Sequence, residues 1–405
     1  MNIYWFILWT FIETPAKFFN RHRKIAINSQ DGACGRITIG FACHVLIAGF
    51  QPHPGVVACS PVWPVGPSLL NQEGISMDVS FMAFSRLAFG HWEGQPLYAL
   101  ADLGIAQRLS DPRTCTELAR ELGCESEPLE RLLDCAVAQK LLICEDGRYA
   151  NTDLSARFLT EDSPESLLCW IRIMDRWKRP WMQLAEAVRR GEAVDNQSKW
   201  LGEDPQFMRD FILGMHQFAS RSGPAFAEAL KDVPIRRLVD VGGGAGTYSL
   251  ALCAARPEIT AQVLDLAPVV EITRETAQAA GLADRVSAQV ADYRQDRFGE
   301  EADALLFSNV LHQESAEVCR SMLHRAWQAL RPGGTLLVQG YFLAEDRRAP
   351  LFTTLHNLSA LALWDGGRSW TVGDMQAQIA VAGFERQAVL RQESSGFCLL
   401  SAVKV

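Results

Sequence analysis

The stretch that decides the fold is Arg237-Leu-Val-Asp-Val-Gly-Gly-Gly-Ala-Gly246. Leu238 to Val241 is a short apolar run and reads as a buried strand. It runs into glycines and then into Tyr248 to Ala255, which reads as a helix. Glycines let the chain turn tightly and let a ligand lie against the backbone where a Cβ would clash. Asp240, Gly242 and Gly244 are therefore candidate ligand-binding residues. On its own, a glycine-rich turn between strand and helix marks a nucleotide or nucleoside site without saying which.

The units downstream narrow the choice. Ala261 to Asp265 reads as a second strand ending in an acid, and Leu266 follows it. Asp265 falls about 20 residues beyond the glycines, the usual distance for an acid that grips a ribose diol. Pro268 opens a helix to Ala280. Val286 to Asp292 reads as a third strand ending in another acid, followed by Tyr293. Ala302 to Ser308 is a fourth strand, Ala316 to Leu330 a helix stopped by Arg331-Pro-Gly-Gly, and Thr335 to Tyr341 a fifth strand. Strands alternating with helices predict an α/β domain with a parallel, doubly wound, Rossmann-like sheet and ligands at the carboxyl ends of its strands. A dinucleotide site would ask for Gly-x-Gly-x-x-Gly, and Gly242-Gly-Gly-Ala-Gly246 does not have that spacing.

Upstream, apolar residues recur at helical spacing from Phe81 to Leu109 until Asp111-Pro112 breaks the pattern. Thr114 or Thr116 can cap a helix that ends at Gly123. A second helix spans about Glu127 to Gln139. Leu141 to Thr152 reads as a hairpin turning at Glu145-Asp-Gly-Arg. Helix, turn, helix and hairpin form a winged-helix-like arrangement. Its candidate recognition helix carries Glu125, Glu127, Glu130 and Asp134 against Arg131 and Lys140, which would repel phosphates. Packing or dimerisation is the expected role. A tryptophan-rich helix is expected from Ser163 onward, with Trp170, Trp177 and Trp181 packing the core or walling an apolar pocket.

The Leu238–Gly246 string, Asp265-Leu266, Asp292, the segment Asn309-Val-Leu-His312 and Leu330-Arg-Pro-Gly-Gly334 together resemble the small-molecule O-methyltransferases. That family includes plant caffeate and isoflavone enzymes and acetylserotonin methyltransferase. The resemblance covers about 78–405. It implies a class I S-adenosylmethionine-dependent methyltransferase domain preceded by an α-helical, winged-helix-like dimerisation domain. It also implies a homodimer whose N-terminal helices help cover the partner's active site. S-adenosylmethionine would be held by Asp240, Gly242, Gly244, Asp265, Leu266, Asp292, Tyr293 and Ser308. Ser308 stands where the family often has a lysine. His312 would be the general base. Phe211, Met215, His356 and Trp364 would line the site of a small, aromatic or polyketide-like acceptor.

The chain departs from the family beside that histidine. Plant members follow it with Asp, where Gln313 stands, and hold it between two glutamates. The matched positions carry Gln339-Gly340-Tyr341 and Ser369. A weaker base acting on an already acidic phenol is one consequence. A histidine that only positions a carbon or nitrogen nucleophile, or a non-catalytic binding protein, is the alternative. Glu314 and Asp365 are the acids that could substitute. His312 and His356 lack a third ligand, so no metal site is expected.

Composition agrees with two domains and excludes other classes. The 405 residues carry a net charge of −8, which gives no global attraction for nucleic acid or anionic membrane. The 11 cysteines include no CxxC pair, and reduced thiols in the cytoplasm are expected. Two domains are expected, 78–200 and 201–405. Residues 1–76 show no sustained period, and patterned sequence starts after Met77. They are expected to be a poorly ordered extension or upstream translation ahead of a true start, rather than a surface anchor or an ordered extra element. The apolar run Ile3 to Ile12 is too short to span a bilayer.

Overall fold

The computed structural model describes residues 81–405. The expectations for residues 1–76 lie outside that range.

The chain enters through helices α1 (Phe81–Glu93), α2 (Gln95–Asp102) and α3 (Ile105–Arg108). Strand β1 (Arg113–Thr114) leads to α4 (Cys115–Leu122), α5 (Ser126–Ala138) and the hairpin β2 (Leu142–Glu145) and β3 (Arg148–Asn151). The three strands pair antiparallel in the order β1-β3-β2, completing the winged-helix arrangement. Local chemistry sets these boundaries. Thr114 accepts the Glu117 N–H at 3.2 Å while the Glu117 carboxylate accepts the Thr114 N–H at 2.8 Å, a reciprocal capping box. Gly123 closes α4 in the left-handed region at φ 68°. Leu100, Ile105, Leu118, Leu133, Leu142 and Tyr149 form one buried core. The Tyr149 hydroxyl donates to Asp134 at 2.7 Å.

After α6 (Asp153–Phe158), the tryptophan-rich helix α7 runs over Leu168–Met182. It starts five residues later than Ser163 because the Ser166 N–H bonds the Ser163 carbonyl in a turn first. Helices α8 (Leu184–Arg190), α9 (Gln197–Glu203), α10 (Pro205–Ala219) and α11 (Gly223–Ala229) lead to the sheet. Gly214 marks where α10 crosses α7, since a Cβ there would sit 2.7 Å from the Trp170 nitrogen and 2.8 Å from the Cys169 carbonyl carbon.

The sheet has seven strands in the order β6-β5-β4-β7-β8-β10-β9. They are β4 (Arg237–Val241), β5 (Thr260–Asp265), β6 (Val286–Val290), β7 (Ala302–Ser308), β8 (Leu330–Tyr341), β9 (Phe384–Gln392) and β10 (Phe397–Lys404). Helices α12 (Thr247–Ala255), α13 (Ala267–Ala279) and α14 (Ala316–Ala329) intervene, and α15 (Leu351–Leu363) and α16 (Val372–Val381) follow β8. β6, β5, β4, β7 and β8 are parallel, as expected.

Two features correct the expectation of an all-parallel sheet and a fifth strand starting at Thr335. β10 inserts between β8 and β9 and runs antiparallel to both. β8 begins at Leu330, through the Pro-Gly-Gly sequence, with an irregular register against β7. Gly333 at φ 75° lets the strand pass that point. Both sheet faces are covered. Val241, Phe307, Met322 and Leu336 pack on one, and Leu238, Val263, Leu306 and Leu337 on the other. Among the described residues no helix is long and apolar enough to cross a membrane.

Candidate active site

The carboxyl ends of β4, β5, β6 and β7 meet at one edge of the sheet, and the glycine loop lies there. Gly242 has φ 66°, and a Cβ on it would press to 2.8 Å from Val310 Cγ2. Only glycine fits both conditions. The Asp265 carboxylate accepts the Gly244 N–H and the Leu266 N–H, each at 2.8 Å, so this acid shapes the loop as well as facing it. Burial raises its pKa, and the two N–H bonds act against that rise. Leu266 beside it is exposed.

Asp240 is 1% exposed. Its Oδ2 accepts the Ser249 hydroxyl at 2.8 Å, and its Oδ1 has no protein partner. Burial pushes this carboxyl up to about 7. Asp292 accepts the Arg294 N–H at 2.9 Å and the Gln295 amide at 3.0 Å. The Tyr293 ring edge lies 3.5 Å from the point a Gly242 Cβ would occupy. Its hydroxyl donates to buried Glu314 at 2.9 Å, and Arg294 donates to the same carboxylate oxygen at 2.8 Å. Ser308 ends β7, and its hydroxyl accepts the Gln339 amide at 3.1 Å.

His312 sits in a short 3₁₀ turn, Leu311–Gln313, just past β7. Its ring meets His356 of α15 at 4.6 Å between centroids and Trp364 at 5.2 Å, both edge to face. The Arg368 N–H holds the His312 carbonyl at 2.8 Å. His356 Nδ1 bonds the Ser369 hydroxyl at 2.9 Å, and the His356 ring lies 5.1 Å from Tyr341. Burial, and then the neighbouring His356, hold the His312 imidazole well below the usual histidine range. Burial lowers His356 to about 4.

The structure thus brings His312, His356 and Trp364 together, and separately gathers Asp240, the glycine loop, Asp265 and Tyr293. Trp364 is the C-cap of α15 rather than a residue within it. Phe211 and Met215 are half-buried on α10. That helix reaches the glycine loop through Ile212, 4.0 Å from a Cβ built on Gly244, and through His216, whose Nδ1 bonds the Thr247 hydroxyl at 2.8 Å. Phe207, one turn before Phe211 on the same helix, packs into a buried cluster with Trp200 and Trp364.

Neither substitute acid stands by His312. Glu314 is taken by Tyr293 and Arg294, and Asp365 accepts from the Asn196 amide at 2.7 Å and the Ala193 N–H at 3.3 Å. Sequence reasoning missed Tyr341 and His216 and left Trp177 open between core and pocket wall; its ring meets Trp364 at 6.3 Å. Trp177 carried a signal, as one of the rings that could wall a pocket. Tyr341 and His216 carried none.

A doubly wound sheet with a glycine turn after its first strand and acids closing the next two defines a class I S-adenosylmethionine-dependent methyltransferase. Residues 181–385 match the O-methyltransferase domain family, and residues 85–161 match the O-methyltransferase dimerisation domain. The chain belongs to the O-methyltransferase family. It is 30% identical to acetylserotonin O-methyltransferase of Bos taurus, over 78% of this chain and 94% of that one. It is 29% identical to 3-hydroxy-5-methyl-1-naphthoate 3-O-methyltransferase of Streptomyces sahachiroi, over 76% of this chain and 91% of that one. Human N-acetylserotonin methyltransferase, solved with S-adenosylmethionine, superposes with a TM-score of 0.73 at 26% identity, covering 82% of this chain and 99% of that one.

S-adenosylmethionine is the cofactor, and the residues present fit it. An unpaired buried Asp240 oxygen, a loop with left-handed glycines at 242, 244 and 246, and the acids Asp265 at the end of β5 and Asp292 just past β6 suit a ligand with amino and diol groups.

Proposed function

We propose that this enzyme transfers a methyl group to a hydroxyl of a small, flat aromatic acceptor, with His312 as the base. The observation that carries the reading is the His312 ring. It lies half-buried just beyond the cofactor strands, edge to face with His356 and Trp364. S-adenosylmethionine supplies a methyl already activated on a sulfonium. The protein's part is to orient the acceptor, exclude water and accept a proton. Asp265, Asp292 and Tyr293 hold the nucleoside end, with Asp240 behind the glycine loop. Trp364, Trp177 and His356 supply aromatic surface for a planar ring, with Phe211 and Met215 closing the site from α10. The naphthoate named for the Streptomyces relative is an acceptor of this shape.

The working form in this reading is a homodimer. Phe84 and Leu87 of α1 are 63% and 80% exposed, within a stretch leading into the matched dimerisation domain. A second copy would cover them. The cytoplasm suits the eight described cysteines, all free. Calorimetry with S-adenosylmethionine and its demethylated product tests cofactor binding, and turnover of a panel of phenols, amines and enolisable acids tests the transfer. Turnover confined to amines or carbon acids would overturn the hydroxyl assignment.

A further inference from the structure

We propose that the site selects acceptors whose hydroxyl is already acidic, such as phenols or enols conjugated with a carbonyl or carboxyl group, because among the described residues its histidine pair has no carboxylate behind it. This rests on the O-methylation reading above and narrows its substrate class.

The described groups that touch the pair, or lie on the elements beside it, are neutral. On α15, His356 presents its ring to His312 and turns Nδ1 to the Ser369 hydroxyl. Ser369 is itself held by its backbone N–H, which donates to the Asn357 side-chain Oδ1 at 2.8 Å. On β8, the Tyr341 phenol is kept protonated by burial, and Gln339 spends its amide on Ser308. The Cys319 thiol donates to the Leu311 carbonyl at 3.1 Å, and burial pushes it up to about 12. Arg368 gives His312 only its backbone N–H, and its guanidinium lies over Trp370. Glu314 and Asp365 are committed elsewhere. With no anion to stabilise an imidazolium, burial leaves both rings as weak bases.

A weak base accepts a proton efficiently only from an acid of comparable strength. The acceptor oxygen uses a lone pair to form the O–C bond as the S–C bond breaks with its pair retained on sulfur. The phenolic proton passes to His312 or to water. When the hydroxyl ionises readily, that proton transfer ceases to limit the rate. Ser369, which bonds His356 Nδ1, is the positioning residue in this scheme. With Gln339, bonded to Ser308 on the neighbouring strand, it keeps the site neutral where an acid would strengthen the base.

The test measures kcat/KM of the full-length enzyme on naphthols of matched size and graded acidity, each across a pH series. The expected result is a fall of up to about tenfold for each unit by which the acceptor pKa exceeds the assay pH. The acid limb of each profile should move with the acceptor's own pKa. Ser369→Glu and, separately, Gln339→Glu should flatten the dependence by raising rates on the least acidic naphthols relative to the most acidic. Should these variants misfold, the wild-type profiles decide alone. Equal rates across the series, with a limb fixed at one enzyme pKa, would remove this inference and leave O-methylation standing. Turnover of no naphthol, alongside methylation of an amine or carbon acid, would remove both.

Discussion

Asp240 is buried and His356 half-buried, and the two titrate in opposite senses. Asp240 has one hydroxyl partner and an oxygen with none, and its folded pKa rises to about 7. A raised carboxyl contributes stability in full below its unfolded pKa of about 4, and that contribution is lost as pH rises through about 7. Asp240→Asn should therefore melt higher than the parent at pH 8 and lose that advantage at pH 5, as read by calorimetric melting. His356 is lowered to about 4, so its contribution is full above about 6.5 and drains away as pH falls toward 4. His356→Gln should soften the loss of Tm between pH 6.5 and 4.5. At the reacting end, His312→Ala should leave S-adenosylmethionine binding intact by calorimetry and lower kcat/KM on the least acidic phenols by about 100-fold, the lower range for a general base, with a smaller loss on the most acidic. Unchanged turnover would remove His312 from the chemistry.

Between elements, the tightest constraint is the crossing of α7 and α10. A methyl on Gly214 would meet backbone atoms of α7, which cannot rotate away as a side chain would. Gly214→Ala should cost about 1–3 kcal/mol, seen as a lower denaturant midpoint at unchanged m-value. A second joint links the loop after β6 to the start of α14. Glu314 is buried and anchors both the Tyr293 hydroxyl and the Arg294 guanidinium. Glu314→Ala frees the ring beside Gly242. Cofactor affinity should weaken there with acceptor KM changed less, as separated by calorimetry and initial rates.

At the scale of the molecule, the winged-helix core is small, and α1 presents Phe84 and Leu87 outward. Leu87→Asp should shift the species seen in sedimentation from two chains to one. Persistence of the dimer would place the interface elsewhere.

How much of this was legible beforehand follows from the range of each interaction. The cap at Thr114, the stop at Gly123 and the glycine turn at 242–246 depend on residues within a few positions of one another, so spacing narrowed the cap to Thr114 or Thr116 and revealed the other two outright. The five parallel strands were legible because each is a short apolar run between helices. β9 and β10 were not. Phe397-Cys-Leu-Leu is apolar on both faces, so it has no alternation to read, and its antiparallel place between β8 and β9 is settled by pairing across the sheet.

The candidate site divides the same way. By itself the sequence determined the strand-end acids, the glycine loop and His312, because backbone topology brings strand ends to one edge whatever the side chains do. The tertiary structure alone decided what surrounds His312. It turned Glu314 and Asp365 away, set His356 against the ring with Ser369 behind it, and slid Tyr341 alongside. Those contacts join α15, β8 and the 366–370 loop to the end of β7. Only packing across the closed core fixes their register, and with it the surroundings of the His312 ring.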